Sequence, residues 1–292
     1  MPDWGSIAAQ LESAGIDNCG ERPRPVSGGD ISAAWRLQTA SGDLFLKTGP
    51  ASSFDMFQAE AEGLEELGRA KAIRVPAVHA VGEDGNSAFV AIEWLEFGRQ
   101  DEAVERQLGQ QLAELHRTVK DRFGWHRDNT IGLTPQHNPW SDSWVDFYRE
   151  HRLRYQLQLA SDNGFGGELQ STGAQLLKRL PAFFDGYEPA ASILHGDLWG
   201  GNWAACAGEP VIFDPAVYFG DRETDLAMTR LFGGFAPEFY AAYQAHAPLT
   251  DAYPLRRDLY NLYHMLNHLN LFGAAYLSRC EQMISSLLSQ VR

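Results

Sequence analysis

Residues 192–203 read SILHGDLWGGNW, and the functional interpretation of the whole chain begins from this stretch. An apolar run leads into a histidine, a glycine and Asp197, and Asn202 follows five positions later. A second apolar run, PVIFDP at residues 210–215, contains Asp214, twelve positions after Asn202. We interpret both runs as short buried strands, with Pro210 at the turn that separates them. Each carboxylate then lies next to an apolar strand, where it would be costly without a partner.

The bulk composition favours a globular protein with two lobes. The chain has 292 residues, of which 44% are hydrophobic, so it can bury a sizeable core. It carries 24 basic and 38 acidic residues, a net charge of −14. This balance argues against nucleic acid or an anionic membrane as a partner, because both attract clustered lysine and arginine. A phosphate ligand stays possible, since a few local cations or metal ions can outweigh the overall charge.

The cysteines and the chain start indicate a cytoplasmic location. Three cysteines, Cys19, Cys206 and Cys280, are far apart and odd in number, which suits a reducing compartment better than a disulfide framework. The N-terminal residues carry acids and lack the cationic segment of a secretory signal. No apolar run approaches the length of a membrane span.

Residues 1–97 are predicted to form a small β-rich lobe. The runs VSGGDISAAWRLQT (26–39) and DLFLKTG (43–49) indicate a hairpin, and VPAVHAVGE (75–83) and SAFVAIEWLEF (87–97) indicate two further strands. Between the two pairs, residues 54–71 place apolar side chains at helical spacing.

Residues 98–292 are predicted to form a larger, mainly helical lobe that carries the catalytic loop and the substrate pocket. Two leucine-rich stripes at helical spacing, at residues 104–115 and 255–269, support it. The fold class is therefore α+β, with two lobes and a cleft between them where a small ligand would bind.

The arrangement of Asp197, Asn202 and Asp214 has a physical rationale in phosphoryl transfer. One carboxylate accepts the proton of an attacking hydroxyl. An amide oxygen and a second carboxylate are hard ligands that can hold Mg²⁺ against the phosphates of ATP. The tripeptide HGD alone is more often an ordinary turn, so the prediction depends on the complete set.

The β-rich lobe supplies candidates for the other half of such a site. Lys47 lies on a strand, and Glu60 on the following helix can pair with it and direct its ammonium group to the phosphates. A solvated edge lysine is the alternative. Gly28 and Gly29, on the first hairpin, would let backbone N–H groups approach phosphate, and Ser32 could add a hydroxyl. A simple hairpin corner explains these glycines equally well.

The combination resembles the fructosamine/ketosamine-3-kinase family, relatives of aminoglycoside and choline kinases with a protein-kinase-like fold. The general kinase parts are LHGDLWGGNW (194–203) and the run from Phe213 to Phe235, FDPAVYFGDRETDLAMTRLFGGF. More particular to the family is the run at 123–157, FGWHRDNTIGLTPQHNPWSDSWVDFYREHRLRYQL. The similarity extends from about residue 26 to the C-terminus. Gly200 departs from it, because many relatives have serine there.

The resemblance implies roles for individual residues. Asp197 becomes the catalytic aspartate, with Asn202 and Asp214 as Mg²⁺ ligands and Lys47 and Glu60 as the pair that positions ATP. The resemblance makes residues 91–96 the hinge, with the backbone near Glu93 and Leu95 meeting adenine. It makes Asp225 a buried aspartate that braces the catalytic loop through backbone amides.

The substrate side is less specific. Trp199 could offer a flat apolar wall to a sugar or simply pack in the core. Asp221 and Arg222 resemble substrate-side elements of the family. His268 could contact substrate, although His264 and His268 are better explained as structural histidines than as a zinc site, for want of a third ligand.

The function implied by the resemblance is phosphorylation of a sugar hydroxyl on a ketosamine, with ATP and Mg²⁺. The substrate would be a small sugar-amine adduct or a glycated lysine. In the family, phosphate on the third sugar carbon destabilises the adduct, which amounts to deglycation. One alternative is a kinase of the same fold for an aminoglycoside, homoserine or a choline-like substrate. The other is a pseudokinase that binds nucleotide without turnover.

Overall fold

The structure is a computed structural model that describes residues 2–17, 22–26 and 32–291. Helix α1 (Trp4–Ser13) begins at Asp3, whose carboxylate accepts hydrogen bonds from two backbone N–H groups of the first turn. Among the described residues, five antiparallel strands form one sheet in the order β1-β2-β3-β5-β4. They are β1 (Arg24–Pro25), β2 (Ala33–Thr39), β3 (Gly42–Pro50), β4 (Val78–Glu83) and β5 (Ser87–Glu93).

Both faces of this sheet are covered, which explains the unbroken apolar run of β5. Helix α2 (Phe54–Arg69) packs its apolar stripe against Ala88, Val90 and Ile92 on one face. On the opposite face, α1 covers Phe89 and Ala91. Successive strand residues point to opposite faces, so a strand buried on both sides needs apolar residues throughout.

The remainder of the chain is mainly helical. Its helices are α3 (Glu102–Leu115), α4 (Trp144–Tyr148), α5 (Tyr155–Asp162), α6 (Glu168–Arg179), α7 (Glu223–Met228), α8 (Pro237–His246), α9 (Tyr253–Phe272) and α10 (Leu277–Gln290). A π-helical turn, Arg149–Arg154, joins α4 to α5, and short 3₁₀ segments occupy Ala51–Ser53, Leu180–Phe184 and Ala274–Tyr276. No helix within the described residues is both long enough and apolar enough to cross a membrane.

Short strands between these helices place the polar motifs. They are β6 (Val119–Lys120), β7 (Asn129–Ile131), β8 (Thr134–Gln136), β9 (Ala191–Leu194), β10 (Trp203–Cys206), β11 (Glu209–Ile212) and β12 (Tyr218–Gly220). Strand β9 is fully buried between β12 and β6, and β10 pairs with β11. The loop after β9 and the loop after β11 therefore carry the residues with candidate chemistry.

The prediction for Pro210 is wrong. Pro210 lies within β11, opposite Ala205, and the chain reverses instead at Ala207 and Gly208. The ribbon of β10 and β11 has only two strands, so a residue without an N–H is tolerated there. The lobe boundary at 97/98 stays a prediction; the described chain runs without a helix from residue 94 to residue 101.

Candidate active site

The catalytic-loop candidate, residues 195–202, follows β9 and is braced by one buried carboxylate. Asp225, on α7, accepts hydrogen bonds from the backbone N–H groups of His195 and Gly196, each at 2.8 Å. Its Oδ2 also lies 3.2 Å from Nε2 of His116. Burial opposes ionisation of Asp225, but these partners outweigh it and hold its pKa below the ordinary value. These are the contacts that the predicted brace requires.

His195 connects the two loops of the site. Its Nε2 lies 2.9 Å from the carbonyl of Phe213, and a carbonyl only accepts, so Nε2 carries the proton. Its Nδ1 then accepts the backbone N–H of Asp197 at 3.3 Å. Burial lowers the pKa of His195, which keeps the ring neutral. Residues 213–217 are called the metal loop below. His195 therefore fixes Asp197 relative to this loop.

Asn202 and Asp214 lie beside Asp197. The Asn202 side-chain amide donates to the Asp197 backbone carbonyl at 2.9 Å and to its carboxylate at 3.2 Å. The same nitrogen lies 3.4 Å from the Asp214 carbonyl. Because the amide nitrogen is used in this way, Oδ1 of Asn202 is the atom left for a cation. Asp214 itself has a left-handed backbone, with φ of 55°, which aspartate tolerates better than most residues.

These side chains fit a magnesium ion that is shared with a polyphosphate. Mg²⁺ is usually held by one or two carboxylates together with phosphate oxygens and water. Asp214 and Asn202 supply two hard oxygen donors of this kind. Over the described ranges, no three His, Cys, Asp or Glu side chains gather into a metal site of their own. The remaining ligands would therefore come from nucleotide and solvent.

Lys47 pairs with both Glu60 and Asp214. Its Nζ lies 2.7 Å from Glu60 Oε1 and 2.5 Å from Asp214 Oδ1. Burial disfavours the charged lysine, but the two carboxylates outweigh it and raise its pKa above the ordinary value. Burial in turn raises the pKa of Glu60. The lysine is thus a fixed cation directed at the residue that the sequence assigns to the metal.

The carboxyl group of Asp197 is partly buried next to another carboxylate. Burial, followed by repulsion from Asp214, raises its pKa to about 7. A group titrating near neutrality is suited to accept a proton from a hydroxyl.

Helix α2, which carries Glu60, is also attached to the helical lobe from its other side. Arg127 donates to Glu62 at 2.7 Å and forms an ion pair with Asp55. Nε2 of His126 lies 2.7 Å from the other oxygen of Glu62. These contacts join the first turns of α2 to the loop before β7, so α2 is held on two sides.

The predicted hinge lies at the end of β5. The backbone N–H of Glu93 donates to the Ala77 carbonyl at 2.8 Å, and its side chain pairs with Arg74 at 2.6 Å. Leu95 packs on the apolar patch formed by β10, β11 and Phe213. Phe97 stacks on Phe213, with ring centroids 5.5 Å apart. This patch has the flat apolar character that an adenine ring needs, and its role stays a prediction.

The phosphate-loop assignment of Gly28, Gly29 and Ser32 stays a prediction. Gly28 and Gly29 lie outside the described residues. Ser32 is half-buried and directly precedes β2, whose partner β3 carries Lys47.

Trp199 belongs to an aromatic surface next to the catalytic loop. Its side chain is 39% exposed and contacts Phe232 edge to face at 6.3 Å. Phe232 in turn lies 4.8 Å from the ring of His268. A Cβ on Gly201 would come within 2.4 Å of the Trp199 indole, so glycine is required there for this close approach. Gly200, where the chain departs from many relatives, faces open space.

Asp221 is an internal residue, which corrects the prediction of a substrate contact. Its side chain is 0% exposed and accepts hydrogen bonds from the hydroxyl groups of Tyr260, at 2.5 Å, and Tyr187, at 2.9 Å. Burial and the nearby Glu223 raise its pKa to about 6. Asp221 therefore joins α9 to the loop after β12.

Arg222 is likewise structural. It donates to the Tyr243 hydroxyl at 2.9 Å and to two backbone carbonyls after α8. Tyr243 in turn lies 2.8 Å from Nδ1 of His116, whose Nε2 faces Asp225. Burial lowers the pKa of His116, so the neutral ring accepts from Tyr243 and donates to Asp225. Arg222 thus supports the catalytic loop from a distance.

Comparison with known proteins places this chain in a family. The family model described as fructosamine kinase matches residues 3–290. The chain belongs to the fructosamine kinase family. It is 44% identical to a probable ketoamine kinase of Synechocystis sp., over 98% of this chain and 97% of that one. It is 41% identical to the chloroplastic protein-ribulosamine 3-kinase of Arabidopsis thaliana, over 91% and 82%.

Solved structures agree with the family assignment. A Thermobifida fusca protein named after fructosamine-3-kinase has a TM-score of 0.86 and 32% identity, covering 97% of this chain and 99% of its own. An aminoglycoside phosphotransferase solved with ADP and hygromycin B has a TM-score of 0.62 at 17% identity, covering 96% of this chain and 98% of its own, and so shares the fold alone. The two-lobed, kinase-like α+β fold and the phosphotransferase class of this family member are thereby confirmed.

Two histidines of this family member were not assigned a role from the sequence. His195 belongs to the motif at residues 194–203 but receives no role there, and for His116 the sequence indicates only a histidine that is packed or bonded to a loop. The signal for His195 is its position directly before Gly196 and Asp197, where its ring can reach the backbone of the loop. For His116 no local signal exists, because its partner Asp225 is distant in sequence.

Proposed function

We propose that the protein transfers the γ-phosphoryl group of ATP to a sugar hydroxyl of a ketosamine, with Mg²⁺. The observation that carries this proposal is the convergence of Asp197, Asn202, Asp214, Lys47 and Glu60 in one cluster. The kinship with ketoamine and ribulosamine kinases supports the substrate class. Destabilisation of the adduct, and hence deglycation, is the proposed consequence.

In this proposal the protein mainly orients the sugar hydroxyl and neutralises charge on the phosphates. Asp197 accepts a hydrogen bond from the sugar hydroxyl and then its proton, which aligns the oxygen with the phosphorus. Lys47 offsets charge on the phosphate oxygens, and Glu60 keeps the lysine in place. Asn202 and Asp214 would hold Mg²⁺, which neutralises phosphate charge when it is bound.

The aromatic surface next to the loop is the proposed sugar-amine site. Trp199 and His268 would present ring faces to the CH groups of the sugar. A protonated secondary amine near these rings gains from cation–π attraction. The Arabidopsis relative is named for protein-bound ribulosamine, so glycated lysine in proteins belongs to the proposed substrate range, together with free adducts. A cytoplasmic location is part of the same proposal.

The test is coupled ADP release with ATP and Mg²⁺ on fructose, ribulose and erythrulose adducts of lysine, alongside kanamycin, choline and homoserine. Turnover is expected on ketosamines only. Asp197→Asn should lower kcat by about 10²–10⁴-fold, the usual contribution of general-base catalysis. Binding of ADP to this variant should be unchanged.

The matched control is Asp142→Asn, because Asp142 is an exposed aspartate whose ion pair within the described residues is with Arg122. It should leave kcat unchanged. Turnover on an aminoglycoside or amino alcohol alone would overturn the substrate class but keep the site. Full activity of Asp197→Asn would remove Asp197 from the role of base.

A further inference from the structure

A buried polar network connects the metal loop to the core of the helical lobe. It consists of Asn129, Gln136, Asn138, Arg152 and Tyr263, and each of these side chains is buried. None of them belongs to the cluster that would contact nucleotide or metal. Buried polar groups are costly unless they are satisfied, so a network of this extent calls for a physical explanation.

Two members of the network bind the metal loop directly. Asn129 and Gln136 face each other across the hairpin of β7 and β8. The Gln136 amide donates to the Ala216 carbonyl at 3.1 Å, and the Asn129 amide donates to the Val217 carbonyl at 2.8 Å. Gln136 also donates to the Asn129 side-chain oxygen at 2.9 Å, which makes the pair one rigid unit.

The other three members fix the orientation of these amides. Asn138 donates to the Asn129 oxygen at 2.9 Å, and Arg152 donates to the Asn138 oxygen at 2.7 Å. The Tyr263 hydroxyl donates to the Gln136 oxygen at 2.8 Å. With each oxygen engaged by a donor, neither amide of the hairpin can rotate to turn its N–H away from the loop.

Arg152 is an unusual anchor for such a network. It lies in the π-helical turn, is 0% exposed, and its guanidinium stacks over Tyr218 at 4.1 Å and Phe147 at 4.6 Å. In the described part of the chain no carboxylate forms an ion pair with it. Its direct contacts are ring faces and carbonyl oxygens, and the Asp128 carboxylate interacts with its charge without forming an ion pair. π-Turns of this kind often occur at functional sites.

Most backbone carbonyls of the metal loop therefore accept hydrogen bonds from side chains. His195 binds the carbonyl of Phe213, Asn202 approaches that of Asp214, and the hairpin amides bind those of Ala216 and Val217. The Ala216 carbonyl also lies directly against Gly196, where a Cβ would come within 2.0 Å. A small shift of this carbonyl would thus move the catalytic loop and Asp214 together.

We propose that Asn129 and Gln136 are positioning residues that hold the metal loop in the conformation in which Asp214 and Asn202 bind Mg²⁺. Asn138, Arg152 and Tyr263 keep the two amides aimed at the loop. The proposal rests on the proposed function, since it assumes that Asp214 and Asn202 are the metal ligands. It gives a role to the buried polar residues at 129–138 and at 152, which the catalytic cluster does not explain.

The test measures Mn²⁺ binding in the presence of ADP by electron paramagnetic resonance, without sugar substrate or turnover. Gln136→Met keeps the length of the side chain and removes its hydrogen bonds. It should raise the Mn²⁺ dissociation constant about 10–100-fold, the usual effect of losing a group that orients a metal ligand. Binding of ADP without metal should be unchanged, and a purely structural role would not separate the two.

The matched control is Gln170→Met, because Gln170 also donates to two backbone carbonyls, at 2.9 and 3.0 Å, but on the remote helix α6. A second variant, Tyr263→Phe, is nearly isosteric and should give an intermediate increase; it decides the matter if Gln136→Met does not fold. Unchanged Mn²⁺ affinity in the folded variants, or equal loss in the control, would overturn the positioning role. No Mn²⁺ binding by the unaltered protein with ADP would overturn the metal assignment as well.

Discussion

Replacing Asp225 with asparagine tests whether the catalytic loop depends on a buried carboxylate. In the structure both oxygens of Asp225 accept backbone N–H groups, from His195 and Gly196, at 2.8 Å. Asparagine has one acceptor, so whichever way it turns, one buried N–H faces another donor. Losing a charge-assisted hydrogen bond and leaving that N–H unsatisfied costs about 2–4 kcal/mol of unfolding free energy.

The loss should appear in two measurements. Urea unfolding at pH 7, followed by tryptophan fluorescence, should show the decrease in stability. ADP release should show a kcat about 10–100-fold lower, because the loop that presents Asp197 is no longer held. Asp84→Asn is the control, since Asp84 also accepts two backbone N–H groups but in an exposed turn where water can replace it.

If Asp225→Asn matched the Asp84 control in both stability and kcat, the brace would have no energetic or catalytic weight. If stability fell while kcat held, the carboxylate would serve folding alone. Either result would refute the reasoning that connects the two loop amides to catalysis.

Three further expectations follow from buried groups elsewhere. Burial lowers the pKa of His264 to about 3, so the folded ring stays neutral while the unfolded chain gains a proton below pH 6.5. The contribution of His264 to the free energy of unfolding is complete above pH 6.5 and should fall by about 2 kcal/mol from pH 7 to pH 5. His264→Leu should remove this part of the pH dependence, as measured by urea unfolding at each pH. Arg256→Met should lower the free energy of unfolding by about 3–5 kcal/mol, because it leaves the buried Glu223 unpaired. In calorimetry, adding Glu223→Leu to this variant should recover part of the loss. An equal loss in the single and the double variant would contradict this. Gly196→Ala should lower both thermal stability and turnover, because φ is 83° and the new Cβ meets a carbonyl of the metal loop, whereas Gly166→Ala, in open space, should change neither.

Local patterns predicted much of the fold. The leucine stripe of α3 and the unbroken apolar run of β5 each report which faces of one element are buried, and the structure has both elements where the pattern indicates them. The spacing of Asp197 and Asn202 likewise reflects a single short loop. In these places the information lies within a few residues, so the sequence carries it directly.

Contacts between distant segments could not be predicted in the same way. A sequence shows that Asp221 and Arg222 are charged, and charged residues are usually exposed. It does not show that the hydroxyl groups of Tyr187 and Tyr260 donate to Asp221, or that the Tyr243 hydroxyl accepts a hydrogen bond from Arg222. The same is true of the amides around the metal loop, whose partners come from another part of the chain.

The two-sided attachment of α2 bears on how the protein would behave in a cell. Glu60 pairs with Lys47, and Arg127 holds the outer face of the helix. Swinging this helix away would break both sets of ion pairs at once, so it is a poor candidate for an on-off switch. Under the proposed function, turnover would then depend on the supply of substrate and nucleotide and not on a movement of this helix.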